Sequence, residues 1–222
     1  MSAHTIKVYR DILERDADWA RRTRELAAPH RVTMINLIGS PGCGKTRLLE
    51  AAAVALKQEY RFSVLEGDVE TTHDAERLAA LGVPVAQLLT GGGCHLSAQM
   101  VHLAFKELPL DALDLVVVEN VGNLMCPACF DIGEDAKIAL LSVTEGEDKP
   151  VKYPLLFQQA KAVIITKTDL LPHLIFDLER CLRYIREVNA DVPVFALSAS
   201  TGEGLDAWLA WLRNFRAVTR PA

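Results

Sequence analysis

Residues 39–46 have the types and the spacing of a phosphate-binding loop. They read Gly-Ser-Pro-Gly-Cys-Gly-Lys-Thr and fit the pattern G-x-x-x-x-G-K-[ST]. The apolar run at residues 32–38 predicts a buried strand before the loop, and the Ala/Leu-rich stretch at residues 47–58 predicts a helix after it. Backbone N–H groups and the helix dipole can surround a polyphosphate at such a junction. We therefore predict that the chain binds a nucleoside triphosphate.

The positions within this loop have separate predicted roles. Lys45 is expected to reach the β- and γ-phosphates, and the hydroxyl of Thr46 is expected to hold Mg²⁺. Glycines allow the backbone conformations and the close approach to phosphate that a Cβ would block. The thiol inside the loop is expected to pack as a small apolar group. The predicted nucleotide-binding residues here are Gly39, Gly42, Cys43, Gly44, Lys45, Thr46 and Arg47.

A second motif, at residues 164–169, predicts which base is bound. It reads Ile-Ile-Thr-Lys-Thr-Asp and ends a predicted strand with x-K-x-D, where GTPases as a class carry N-K-x-D. The carboxylate of Asp169 could accept hydrogen bonds from guanine N1–H and from the 2-amino group, and adenine has neither donor in that geometry. Lys167 could lie with its aliphatic chain along the base plane. Thr166 stands where the usual Asn would be.

Further along the chain, residues 197–204 resemble the S-A-K loop of GTPases. The backbone at Ser198 and Ala199 could contact guanine O6, and Ser200 replaces the usual Lys. Because this loop and the x-K-x-D motif occur in the expected chain order, guanine is favoured over adenine.

Cysteine and histidine residues form a separate predicted site. Cys94 and His95 follow three glycines after a predicted strand, and Cys126 and Cys129 lie in a segment that leaves the strand predicted at residues 113–119. Thiolates and imidazole suit Zn²⁺, Ni²⁺ or Cu better than Mg²⁺. The alternative is that each thiol is only a small buried apolar group. We predict that Cys94, His95 and Cys126 are metal ligands, and the role of Cys129 stays open.

These motifs lie in an alternation of short apolar runs and helical stretches. The predicted strands are at residues 32–38, 61–67, 84–89, 113–119, 137–143, 161–166 and 193–197. The predicted helices are at residues 7–27, 45–58, 72–81, 95–107, 152–159, 173–189 and 204–216. Buried strands joined by crossover helices give a largely parallel sheet with helices on both faces, and ligands bind at the carboxyl ends of its strands. The predicted fold class is therefore α/β, that of a P-loop NTPase.

Length and composition limit the domain organisation and the partners. A chain of 222 residues suits one α/β domain at residues 32–217, with an N-terminal helical extension at 1–31 and a tail at 218–222. A net charge of −5 without a basic stripe argues against a nucleic-acid partner.

No apolar run reaches the roughly 18 residues of a membrane span, and no signal-peptide core follows Met1. We expect a cytoplasmic protein without membrane contact, whose five cysteines are thiols. Of these, Cys181 lies among helical leucines and is expected to pack in the core.

Several segments resemble the HypB family of nickel-incorporation GTPases of hydrogenase maturation, within the SIMIBI class of P-loop GTPases. The segments are residues 39–46, 66–69, 74–78, 92–96, 119–124 and 142–150. The resemblance extends from about Val32 to Phe215, and the urease-accessory GTPase is the nearest relative of that family.

The resemblance implies a GTP-dependent homodimer that carries Ni²⁺ for [NiFe]-hydrogenase maturation. Its partners would be other maturation proteins and the hydrogenase large subunit. By this likeness, Cys94, His95 and Cys126 would be ligands contributed by both protomers at the dimer interface. Some family members also carry an N-terminal Cys-x-x-Cys-Gly-Cys motif or a His-rich stretch. Residues 1–31 contain neither, so we expect a partner to supply the metal.

Acidic residues at strand ends are candidates for the Mg²⁺ site and for a switch. Asp68 and Asp74 are expected near Mg²⁺ with Thr46, and Glu119 could hold a Mg²⁺-bound water. Lys45, Asp68 and Glu119 are the predicted catalytic residues. The γ-phosphate and Mg²⁺ are expected to order the loops at residues 68–74 and 119–123, which relax after hydrolysis.

The sequence is compatible with more than one function. In a GTPase metallochaperone, hydrolysis would gate metal delivery, and intrinsic turnover is expected to be slow because no arginine finger is visible. In a GTPase with a structural zinc, the metal would be fixed and the protein would act as an interaction switch. A urease-type nickel-insertion GTPase and a plain P-loop kinase are two more possible functions, although Asp169 and the Ser198 loop argue against the kinase.

Overall fold

The structure is a computed structural model that describes residues 3–68 and 73–219, with side chains from residue 15 onward. In this part of the chain seven strands form one sheet, namely β1 (Thr33–Gly39), β2 (Phe62–Asp68), β3 (Val85–Leu89), β4 (Leu115–Glu119), β5 (Ala136–Ser142), β6 (Ala160–Thr166) and β7 (Val194–Ala196). Their order is β3-β2-β4-β1-β5-β6-β7. All neighbouring strands are parallel. The prediction of a parallel sheet is confirmed.

Helices precede, connect and follow the strands. They are α1 (Ala3–Ala27), α2 (Lys45–Leu56), α3 (His73–Ala80), α4 (Ala98–Lys106), α5 (Cys126–Cys129), α6 (Lys149–Lys152), α7 (Pro154–Gln159), α8 (Leu178–Val188) and α9 (Leu205–Thr219). Short 3₁₀ helices occupy Ala28–His30, Leu110–Ala112 and Thr168–His173. Residues 69–72 of the predicted first switch loop lie outside the described residues, as do the first two residues of the predicted extension and residues 220–222 of the predicted tail.

Two predicted helices begin later than expected, because capping residues set their first turns. The helix predicted from residue 95 begins after Ser97, whose Oγ accepts a hydrogen bond from Met100 N at 3.2 Å. The helix predicted from residue 173 begins after Asp177, whose Oδ1 accepts from Arg180 N at 2.8 Å. Cys94 and His95 are consequently in a loop.

Two further segments were not predicted correctly. The helix predicted at residues 152–159 is observed only from Pro154, as α7, and Lys152 belongs to the separate helix α6, because Tyr153 between them takes a non-helical conformation before Pro154. The segment from Cys126 to Cys129 forms the short helix α5, which no sequence pattern had predicted.

The sheet is covered on both faces. On one face, Ile35 and Leu37 pack with α2 and α9. On the other face, Met34 packs beside Phe105 of α4, and Ile38 packs beside α7 and α8. This alternation follows from the period of two along a strand. Together with the parallel strand order, it confirms the predicted α/β architecture. Within the described residues, no helix is both long and apolar enough to cross a membrane.

The second half of α1 packs against α4 and the loop before β5. Ala20 and Thr23 are fully buried, and Thr23 Oγ1 lies 3.1 Å from Nδ1 of His102. Gly133 has φ +92, and a Cβ added there would lie 2.8 Å from Ala20 O. α1 is therefore fitted closely against the domain in this region.

We predict that Gly133→Ala destabilises the protein much more than Gly82→Ala. Both glycines have positive φ, so each alanine has a similar backbone strain of about 1 kcal/mol. Nothing lies within 4 Å of a Cβ at Gly82, whereas the Cβ at Gly133 meets α1. Overpacking of this kind costs about 2 kcal/mol more. Urea unfolding of the two variants checks the difference, and equal midpoints would contradict the close packing of α1.

Candidate nucleotide and metal site

The predicted phosphate loop joins β1 to α2. Gly44 precedes the helix with φ +96, a conformation that suits glycine, and α2 begins at Lys45. The side chains of Lys45 and Thr46 are buried. They lie beside a cavity of about 250 Å³ whose lining includes Lys45, Glu66, Asp68, Asp74, Glu119 and Gly122. A helix N-terminus and an ammonium group thus face a space that is also rich in carboxylates.

Thr46 brings together two of the predicted carboxylates. Its Oγ1 lies 2.9 Å from Asp74 Oδ2 and 2.8 Å from Glu119 Oε1. A hydroxyl has one proton and can donate to only one of them, so the second contact needs a proton on a carboxyl group. Burial raises the pKa of Glu119 to about 7, against the opposing effect of the Lys45 ammonium. The protonated form of Glu119 is therefore accessible near neutral pH.

Glu66 is a buried carboxyl group that was not among the predicted site residues. It lies directly opposite Glu119 in the register of β2 and β4. Burial and the charge of Glu119 raise its pKa to about 7. Among the described residues, neither Glu66 Oε2 nor Glu119 Oε2 has a hydrogen-bond partner. The only sequence signal for Glu66 was its place in the Glu-Gly-Asp segment that ends β2.

These oxygen atoms are of the kind that Mg²⁺ binds. Mg²⁺ prefers carboxylate, hydroxyl and phosphate oxygens, and a cation would offset the cost of two buried carboxylates with unpartnered oxygens. Asp68 lies at the end of β2 and lines the same cavity. Asp74 is also paired with Arg77, whose Nη1 donates to Asp74 Oδ1 at 2.8 Å.

The end of β6 is hydrogen-bonded to the phosphate loop. Thr166 Oγ1 donates to Cys43 O at 2.6 Å, and Lys167 Nζ donates to Gly42 O at 2.7 Å. Thr166 thus contacts the loop although it replaces the Asn of GTPases. Asp169 is half-buried in the 3₁₀ helix that follows.

The loop after β7 lies beside this segment. Thr168 N donates to Leu197 O at 3.3 Å. Ser198 is buried and its Oγ accepts from the backbone N–H groups of Ser200 and Thr201, at 3.3 and 3.2 Å. These bonds within the loop fix the backbone that was predicted to contact the base.

Arg47 and Ala199 line a second cavity of about 510 Å³. Arg47 is exposed, and its Nη1 donates to Glu50 Oε2 at 3.0 Å.

The thiol of Cys43 is buried, and burial raises its pKa to about 11. Cys43 therefore contributes packing and backbone atoms to the loop, and Cys181 is buried in the core in the same way.

Cys94, His95 and Cys126 come together on the protein surface. Cys94 is exposed and the other two are half-buried. Cys94 Sγ lies 3.6 Å from His95 Nδ1. A hydrogen bond with Cys126 raises the pKa of the Cys94 thiol. Two thiols and an imidazole are thus neighbours, and their role as metal ligands stays a prediction.

The surroundings of these side chains include an aromatic contact that was not predicted. The rings of His95 and Phe130 are stacked, with centroids 4.1 Å apart and planes 5° apart. Cys129 is exposed at the end of α5, and its Sγ donates to Met125 O at 3.4 Å. Within residues 15–68 and 73–219, no three His, Cys, Asp or Glu side chains are grouped tightly enough to hold a metal ion by themselves.

Comparisons with known proteins agree on one family. A family profile described as the CobW/HypB/UreG nucleotide-binding domain matches residues 33–196. The hydrogenase maturation factor HypB of Escherichia coli strain K12 is 47% identical over 213 residues, which cover 96% of this chain and 73% of that protein.

Two solved structures are also similar over nearly their whole length. HypB from Helicobacter pylori, crystallised in complex with nickel, has a TM-score of 0.88 and 34% identity, and the match covers 94% of this chain and 98% of that one. The hydrogenase maturation factor HypB from Archaeoglobus fulgidus has a TM-score of 0.86 and 31% identity, with coverage of 92% and 100%.

We predict that Mg²⁺ affinity of the nucleotide complex rises with pH between 6 and 8. Below its pKa of about 7, Glu119 keeps a proton that Mg²⁺ must displace. The apparent affinity should therefore rise by up to roughly tenfold per pH unit below pH 7 and level off above it. Mg²⁺ titrations of the complex with a fluorescent GDP analogue measure this, and Glu119→Gln should flatten the profile. If Glu66→Gln flattens it and Glu119→Gln does not, Glu66 is the titrating group.

Proposed function

The chain belongs to the CobW/HypB/UreG family of nucleotide-binding domains, and from this premise we propose that it is a GTP-hydrolysing metallochaperone. Its cargo would be Ni²⁺ for [NiFe]-hydrogenase maturation. One observation carries the proposal: Cys94, His95 and Cys126 are neighbours, and Cys126 lies seven residues after Glu119, which contacts Thr46 of the phosphate loop.

GTP hydrolysis would take place at the carboxyl ends of β1, β2 and β4. Lys45 would bind the β- and γ-phosphates, while Thr46, Asp68 and Asp74 would hold Mg²⁺. When bound, Mg²⁺ neutralises charge that develops on the phosphate oxygens. Glu119 would accept a hydrogen bond from a Mg²⁺-bound water and so fix its position. Intrinsic turnover is expected to be slow.

Guanine would be recognised beside the phosphate loop. The half-buried Asp169 would accept from guanine N1–H and the 2-amino group, and Lys167 would pack along the base. Beside the buried Ser198, whose N–H already donates to Glu203 O at 2.9 Å, Ala199 would present its backbone N–H group to O6. The contacts of Thr166 and Lys167 with the phosphate loop support this assignment, since they hold the end of β6 beside that loop.

Nickel would bind as cargo at Cys94, His95 and Cys126. Thiolate and imidazole ligands suit Ni²⁺, and a carrier needs a surface site from which the metal can leave. The exposed thiol of Cys94 meets this requirement. The same ligands suit Zn²⁺, so a GTPase with a structural zinc is the second candidate. A fixed zinc would bind equally in every nucleotide state, and its removal would unfold the protein.

A homodimer would complete the metal site. Because the three side chains lie at the surface, a second copy related by a two-fold axis could bring an identical set of donors against them. Nucleotide-dependent movement of residues 119–123 would then change dimerisation and metal affinity together. Other maturation proteins and the hydrogenase large subunit are the proposed partners, and a reducing compartment such as the cytoplasm would keep the thiols available.

Nickel binding that depends on nucleotide state is the first prediction of this proposal. Reduced protein is titrated with Ni²⁺ and with Zn²⁺ in GDP and in a non-hydrolysable GTP analogue, while light scattering gives the mass. We expect a dimer whose Ni²⁺ affinity differs at least fivefold between the two nucleotides. Cys94→Ala should abolish this binding, whereas Cys181→Ala, which removes a buried thiol from the core, should leave it unchanged. Equal affinity in both states would favour the structural-zinc GTPase.

Base specificity gives the second prediction. Asp169→Asn replaces a carboxylate acceptor with an amide, and loss of charge-assisted hydrogen bonds should weaken GDP binding by about 10- to 100-fold. Xanthine nucleotides carry a carbonyl in place of the 2-amino group, so the amide should bind them better than the carboxylate does. Equilibrium titrations with GDP and XDP measure both effects. Asp177→Asn, which keeps the cap of α8, is the control, and unchanged GDP affinity in Asp169→Asn would refute this base site.

A further inference from the structure

The segment from Glu119 to Asn123 lies directly on the phosphate loop. Glu119 Oε1 lies 2.8 Å from Thr46 Oγ1. At Gly122, an added Cβ would be 2.8 Å from Pro41 Cα, so only glycine allows this close approach of the two backbones. A change in the position of the phosphate loop therefore reaches the segment by direct contact.

On its other side, the same segment holds the loop that carries Cys94 and His95. Asn120 Oδ1 accepts from Leu96 N at 3.2 Å. Asn123 Nδ2 donates to Cys94 O at 3.2 Å. The two bonds are made to backbone atoms that flank His95. A movement of the segment would therefore displace this part of the loop.

The side chain of Asn120 is fixed in position. It is 1% exposed, and its Nδ2 donates to Asn36 Oδ1 at 3.2 Å. The amide of Asn36 in turn donates to Glu134 Oε1 at 3.3 Å. Rotation of the Asn120 amide would break buried hydrogen bonds, each of which is costly to leave unmade.

Asn123 joins the two segments that carry the thiols. While its Nδ2 donates to Cys94 O, its Oδ1 accepts from Met125 N at 2.9 Å. Met125 is the residue before Cys126, the first residue of α5. A single amide group thus bridges the backbones next to both cysteines.

We propose that Asn123 is a positioning residue that sets the spacing of the Cys94 and Cys126 backbones and passes to them the movement of the segment that carries Glu119. The inference rests on the proposed function, because it assumes that the thiols bind Ni²⁺ and that the segment responds to the nucleotide. Asn120 anchors the loop on the far side of His95, so the bond made by Asn123 is the one that can change without disturbing the buried network.

The test compares the Ni²⁺ dissociation constant in GDP with that in a non-hydrolysable GTP analogue. Asn123→Ala removes both hydrogen bonds, whereas Asn123→Asp keeps the acceptor for Met125 N but cannot donate to Cys94 O. With a wild-type ratio of about tenfold, we expect both variants to fall to within about twofold. The ratio is the readout, because an added charge in Asn123→Asp changes the affinity in both nucleotide states alike.

Ser97→Ala is the matched control. It removes the cap of α4 one residue beyond Leu96, and so disturbs the same loop without touching the segment at residues 119–123. It should lower the melting temperature slightly and keep the wild-type ratio. Melting curves of the Asn123 variants establish that they are folded before the ratio is measured.

The outcomes separate this inference from the function on which it rests. A wild-type ratio near one overturns the nucleotide coupling of the proposed function itself. A wild-type ratio near ten that persists in both Asn123 variants overturns only the role of Asn123. Weaker Ni²⁺ binding by the same factor in both nucleotide states also overturns it, since that result indicates a purely local structural role.

Discussion

Two buried carboxyl groups on neighbouring strands impose the main electrostatic constraint on this protein. Glu66 of β2 and Glu119 of β4 are opposite one another at the carboxyl edge of the sheet, and burial raises the pKa of each to about 7. Two such groups are tolerated only where a cation or a proton offsets their charge. Lys45 provides one positive charge nearby, and a Mg²⁺ ion would provide more. A ligand that brings a cation with it would therefore fit the charge of this site.

The parallel sheet explains why the side chains proposed to bind nucleotide and metal are so close. In the order β2-β4-β1, three strands end side by side. The last residues of β2 and β4 include the carboxylates Glu66, Asp68 and Glu119, and the segments after β1 and β4 carry the phosphate loop and Cys126. The loop with Cys94 and His95 follows β3 at the edge of the same sheet, and Thr90 N at its start donates to Asp68 O at 3.0 Å. A well-packed interior resists independent displacement of its parts. Contacts of this kind would support the proposed coupling of metal affinity to the nucleotide.

Much of the fold could be predicted because its signals are local. Apolar runs located all seven strands, and the glycine loop after β1 located the start of α2. Prediction failed where a single side chain sets a boundary: Ser97 and Asp177 delay α4 and α8, and Tyr153 separates α6 from α7. Of the site, the sequence predicted Cys94, His95 and Cys126 as metal ligands, but it indicated neither the stacking of Phe130 on His95 nor the burial of Glu66. Those features depend on contacts between residues that are distant along the chain or on different strands.

The sequence by itself determined the residue types: a phosphate loop, an x-K-x-D motif, and thiols beside an imidazole. Each of these motifs can be recognised in the sequence because its chemistry requires particular residues at a fixed local spacing. Only the tertiary structure decided which groups share an environment. It brings Thr46 between Asp74 and Glu119, and it raises the pKa of two glutamates by burial. It also places Asn123, in the segment before Cys126, within hydrogen-bond distance of Cys94 O. These two residues are 29 positions apart in the chain, so their contact is set by strand order and not by a local pattern.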